Sequence, residues 1–155
     1  MLDDIDHQIC DLLQSDARMS NAAIAEQVGL TSSTVFERVK KLEKKGVIQR
    51  YVAIVDGTAV GKSLTAFVRI VIGTGPDDDY MSCKRQFSQS CLQEPDVLEC
   101  HTVAGEDCYV LKVRTASPLA LESLLERIRS YAPVVRSTSS IVLSTVKEET
   151  KISIV

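Results

Sequence analysis

Apolar residues recur at helical spacing through the first fifty positions of the chain. Ile5, Ile9, Leu12 and Leu13 share a face behind a cap at Asp3 or Asp4, and Ile24 and Val28 lie four apart between Ser20 and Gly29. Val35, Val39 and Leu42 form a third stripe, between a cap at Thr31 or Ser32 and a stop at Gly46. Val47, Ile48, Tyr51, Val52, Ile54 and Val55 then lean toward strand. Turn residues from Asp56 to Lys62 separate this half from a second with another rhythm. There Thr65 to Ile72 is rich in β-branched residues, and Gly73 to Pro76 form a turn. Asp77, Asp78 and Asp79 open a helix that runs to about Gln93, since carboxylates suit the positive end of its dipole. Val97–Val103 and Cys108–Arg114 read as strands joined by the turn Ala104-Gly105-Glu106-Asp107. Ser117-Pro118 starts a second helix, with Leu119 to Ile128 read as core, and Val134 to Val146 is the last strand. The order β-α-β-β-α-β predicts a ferredoxin-like domain. The expected class is α+β, with domains at 1–61 and 62–155.

Composition narrows the choice of function. The chain has 155 residues, 45% hydrophobic and 25% charged, with a net charge of −3. No apolar run reaches the roughly 18 residues a membrane span needs, and the acidic start, Met1 to Asp6, is unlike a signal peptide. Five cysteines without a CxxC pair, beside only His7 and His101, suit a cytoplasmic chain of mostly buried thiols with no metal or cofactor site. Charge is unevenly spread. Residues 1–30 carry six acids and one base; residues 31–50 carry six bases and two acids, a local net of +4. An acidic protein has gathered its positive charge into one segment.

That segment is the third helix, joined to the second by the short turn Gly29-Leu30-Thr31. Small Ala25, flexible Gly29 and inward Val35 suit a helix-turn-helix. Ser32, Ser33, Thr34, Glu37, Arg38, Lys41 and Lys45 then make a polar face, Arg38 being read as opposite the apolar stripe. Its N-terminal residues would meet base edges of double-stranded DNA and its bases would meet phosphates. The alternative is a solvated charged face with no partner.

Leu2-Asp3-Asp4-Ile5-Asp6, Leu13 to Arg18, Val28 to Thr31, Glu37 to Glu43 and Gly46-Val47-Ile48 resemble the Lrp/AsnC transcription regulators. Val97 to His101 and Val103 to Asp107 resemble the effector domain of that family. The resemblance implies a winged helix-turn-helix joined to a βαββαβ (RAM) domain that forms homodimers, often octamers or similar rings, and binds an amino acid. It also implies a transcriptional regulator whose paired DNA-binding units read a roughly palindromic site. Gly105, Glu106, Asp107 and Cys108 are the candidate effector turn: backbone N–H groups suit an α-carboxylate, and an acid suits an ammonium group. Cys108 stands where the family often has Asp, which favours a neutral effector. Ser137, Thr138 and Ser139, with Ser140 in the same run, interrupt an apolar strand and either face water or line a polar pocket between subunits; Ser137, Thr138 and Ser139 join the turn as candidate effector contacts. For dimerisation, Val68, Ile70, Val110 and Lys112 lie in strands whose inward phase the sequence leaves open. Two other readings stand beside this one, a metabolite sensor without DNA binding and a sirohaem-decarboxylase-like enzyme. The second histidine and the nucleophile–base pair that catalysis would call for are missing from the C-terminal half, so no catalytic residue is assigned.

Overall fold

The computed structural model describes residues 2–75 and 79–154, and the chain divides into two compact units. One runs to Ile54 and includes Lys147 onward; the other is Val55–Val146.

Three helices build the first unit. Helix α1 (Asp4–Ser15) starts at a capping box, the Asp3 carboxylate accepting from the Asp6 N–H at 2.8 Å. Helix α2 (Asn21–Val28) is capped by Ser20 and ended by Gly29. At φ +71° Gly29 is in the left-handed region, which lets the chain turn at once into α3 (Ser32–Lys44), capped by Thr31. The predicted stripes meet in one core of Ile9, Leu13, Ile24, Ala25, Val35 and Leu42, with Val28, Val39 and Ile48 against it. The C-terminal residues join this unit rather than the second domain expected to run to 155. The Ile152 N–H donates to Gln14 Oε1 at 2.7 Å, and Gln14 Nε2 donates to the Ile152 carbonyl at 3.0 Å. Lys151 pairs with Asp11 at 2.9 Å, and Ile154 packs on the core. The strand expected over Val47–Val55 does not form. A strand needs a ladder partner, and the four strands described below pair only with one another. Val52, Ile54 and Val55 are therefore left exposed.

The second unit is a four-stranded antiparallel sheet under two helices. Its elements are β1 (Leu64–Ile72), α4 (Tyr80–Gln93), β2 (Val97–Thr102), β3 (Tyr109–Thr115), α5 (Pro118–Arg129) and β4 (Val134–Ile141). The strand order is β2-β3-β1-β4, as the βαββαβ sequence requires for a ferredoxin-like sheet. Asp79 caps α4 through the Ser82 N–H at 3.0 Å; Asp77 and Asp78 lie outside the described residues. Ala66, Val68, Ile70 and Ile72 alternate with exposed or half-buried residues, and their face meets Phe87, Leu121, Leu124 and Ile128 beneath the helices. Leu119, expected in the core, is exposed, because it precedes Leu121 by two residues and so points away from the stripe. The last strand ends at Ile141, not Val146, because its partner runs out. Ile141 pairs with Ala66 and the Val142 N–H bonds the Thr65 carbonyl, beyond which β1 offers only Leu64. Leu143 and Val146 are fully exposed.

Candidate nucleic-acid interface and ligand-binding turn

On α3 the side chains of Ser32, Ser33, Thr34, Glu37, Lys41 and Lys45 are exposed. Arg38 is not among them. Its Nη1 donates to Asp3 at 2.8 and 3.0 Å and to Asp6 Oδ1 at 2.6 Å, so it ties α3 to the start of α1. These bonds hold the guanidinium above its usual range, and the Arg38 bond in turn holds the Asp3 carboxyl below the usual carboxylate range. The reading of Arg38 as opposite the apolar stripe is corrected by this geometry. Arg38 follows Val35 by three residues and precedes Leu42 by four, which sets it on the buried side.

The outward face instead centres on Ser33, Glu37, Lys40 and Lys44, spaced four, three and four apart. Lys40 and Lys44 extend the face expected from the sequence, and helical spacing alone identifies them. Phe36 lies beside them, half exposed, with the Lys40 ammonium 5.8 Å from its ring centroid. With Arg38 neutralised by two carboxylates, the positive charge of the segment rests on Lys40, Lys41, Lys44, Lys45 and Arg50.

The second candidate site is the turn between β2 and β3. Gly105 has φ +141°, a conformation side-chain-bearing residues rarely adopt, and a Cβ there would meet only open space. Asp107 is engaged by Arg136, whose Nη2 donates to Asp107 Oδ1 at 3.2 Å and to the Glu106 carbonyl at 3.4 Å. Arg136 was not singled out from the sequence; it is the one charged residue of β4, immediately before the serine run. The turn is less open than expected, since the Cys108 N–H already donates to the Ile70 carbonyl at 2.8 Å. Its Sγ lies 3.4 Å from the Tyr80 hydroxyl.

The β4 residues do not converge. Ser137 pairs with Ile70 and Ser139 with Val68, both buried, so these serines lie on the helix-covered face. Thr138 and Ser140 pair with Arg69 and Phe67 and lie on the open face with Arg136. Ser137 Oγ is buried with no hydrogen-bond partner among the described residues. It is the atom in this region with an unmet bonding capacity.

Comparison with known proteins agrees with this architecture. Residues 2–49 match the model of a winged helix-turn-helix DNA-binding domain, and residues 65–152 match that of the Lrp/AsnC ligand binding domain. The chain is 42% identical over 147 residues to the HTH-type transcriptional regulator LrpA of Mycobacterium tuberculosis, covering 93% of this chain and 91% of that one. It is 34% identical to the leucine-responsive regulatory protein of Escherichia coli strain K12, over 99% of this chain and 92% of the other. Among solved structures, a transcriptional regulator from Neisseria meningitidis in complex with L-methionine superimposes with a TM-score of 0.89 at 30% identity, covering 99% and 97% of the two chains. Helix order, sheet topology and both domain matches lead to one assignment: the chain belongs to the Lrp/AsnC family of transcriptional regulators.

Proposed function

We propose that this chain binds specific double-stranded DNA sequences in the cytoplasm through α3, as a homodimer or an assembly of dimers, and that a neutral amino acid modulates this binding. The observation that carries the reading is the outward face of α3. Hydroxyl side chains at its N-terminal end suit base edges, and the lysines toward its C-terminal end suit phosphates. This favours a DNA-binding regulator over a metabolite sensor alone. Lysine charge concentrated in an otherwise acidic protein gives it a local means of releasing counterions from DNA.

For the assembly, the open sheet face bears Phe67, Val71 and Val110 among charged residues, and Val52, Ile54 and Val55 are uncovered nearby in sequence. Both features suit a second copy of the chain. Of the four residues named from the sequence, Val110 and Lys112 are on this face, whereas Val68 and Ile70 are under the helices.

For the effector, leucine appears in the name of the Escherichia coli relative, and the Neisseria neighbour was solved with L-methionine. Both are neutral, in keeping with Cys108 in place of an acid. Asp107 is a partner for the ammonium group and Arg136 for the carboxylate, once ligand replaces their mutual bond. An effector acts only by binding one assembly state better than another. A catalytic role is not part of the proposal: His101 is exposed on an edge strand, with Nε2 3.1 Å from Glu99.

Selection of fragments from sheared genomic DNA tests the reading. The wild-type chain should enrich a short set of related sites, and Ser33→Ala with Lys40→Ala should lose that enrichment while remaining folded. Equal retention of all fragments would reject specific binding.

A further inference from the structure

Two of the five cysteines, Cys91 and Cys100, lie on the same side of the sheet in the second unit. Cys91, near the C-terminal end of α4, is buried in the core between helices and sheet. Cys100 lies on β2 opposite Leu111, which is fully buried beneath the helices. Residues paired across antiparallel strands share a face, so Cys100 is on the helix-covered side, where α4 packs against β2. The Cys91 thiol reaches the core from α4 on that same side. Because β2 is an edge strand, Cys100 is also open to solvent. One thiol is thus enclosed in the core, and its neighbour stands at the rim.

We propose that Cys91 and Cys100 are an oxidisable pair that a peroxide closes into an intramolecular disulfide, joining α4 to the edge strand β2. In the first step the Cys100 thiolate attacks one oxygen of the peroxide. An S–O bond forms, the O–O bond breaks, and the departing hydroxide takes a proton to become water. The sulfur has lost two electrons to the peroxide and is a sulfenic acid. In the second step the Cys91 sulfur attacks the Cys100 sulfur. The S–S bond forms, the S–O bond breaks, and the hydroxide leaves with the Cys91 proton as water. Two thiols and one hydrogen peroxide give one disulfide and two waters.

The surroundings assign the two roles. The neighbouring Cys91 thiol holds the Cys100 thiol below its usual range, with a further contribution from His101. Cys100 and burial together push the Cys91 thiol up. The exposed sulfur is therefore the one that meets peroxide, and the enclosed one resolves the sulfenic acid. Cys108 is differently placed, on the other side of the β2–β3 turn and against the Tyr80 hydroxyl. The open sheet face, proposed above for dimerisation, is the face opposite Cys100, so pairing there leaves this thiol accessible.

The test uses the reduced full chain and one equivalent of hydrogen peroxide, followed by alkylation and mass spectrometry. A glutamate-specific protease cuts after Glu94, Glu99 and Glu106 and so puts Cys91, Cys100 and Cys108 on separate peptides. The expected result is a Cys91–Cys100 cross-linked peptide pair and an intact monomer lighter by two hydrogens with two fewer alkylatable thiols, all reversed by dithiothreitol. Cys91→Ser should stop at a Cys100 sulfenic acid that dimedone captures. Five alkylatable thiols after treatment, a Cys100 link between subunits, or further oxidation of Cys100 in place of the cross-link would each overturn the proposal. Mapping of the wild-type chain decides it even if the variant does not fold.

Discussion

Arg38 carries two consequences at the scale of single residues. Its partner Asp6 has a side chain only 14% exposed, so Arg38→Ala leaves a largely buried carboxylate without its cation. The expected cost is about 1–3 kcal/mol of stability, read as a lower melting temperature of the first unit. Any loss of DNA affinity should follow from unfolding rather than from a lost contact, and should vanish when binding is measured well below the melting temperature. Glu94 supplies the second residue-scale prediction. It bonds Arg127 through two contacts at 3.0 Å and the Tyr131 hydroxyl at 2.7 Å, and Arg127 chiefly holds its carboxyl below the ordinary 4.5. A lowered folded-state pKa stabilises the fold above the unfolded value. That stability is lost as pH falls below about 4.5 and through the lowered value. Acid unfolding should therefore be less steep in Glu94→Gln, followed by circular dichroism between pH 5 and 2. Gly105→Ala should destabilise by about 1–3 kcal/mol through backbone strain alone, since its methyl group meets nothing.

Elements were legible from the sequence wherever one stretch of chain carried the whole cause. Caps at Asp3, Ser20, Thr31 and Ser117 and the stop at Gly29 act within a few residues, and among the described residues the helices stand close to where spacing, caps and charge put them. Elements that depend on a distant partner were less legible. The Val47–Val55 segment has strand composition but no ladder, and β4 stops where β1 ends rather than where its apolar residues do. The serine run illustrates the same limit, because the register with β1, not composition, separates Ser137 and Ser139 from Thr138. Within α3, by contrast, the outward position of Lys40 and Lys44 was available from the helical period. Replacing each with alanine should reduce the salt dependence of DNA binding by about one unit of slope and leave melting unchanged. An unchanged slope in a salt titration would remove these residues from the phosphate contacts.

At the scale of the whole molecule, the division into two units gives each its own task. The first presents the basic helix, and the second presents an open sheet face and the Gly105–Cys108 turn. Val110→Asp would place a charge on that face without entering the core, and sedimentation should then show a smaller species than the wild-type assembly. Effector-modulated, sequence-specific DNA binding is measured most directly by fluorescence anisotropy of one labelled genomic fragment recovered by selection, titrated with the full chain at fixed salt, with and without leucine or methionine. Binding should be saturable and well above that of a scrambled fragment, shifted about tenfold by at least one of the two amino acids. Equal binding of the scrambled fragment would contradict this, and so would affinity that neither amino acid changes.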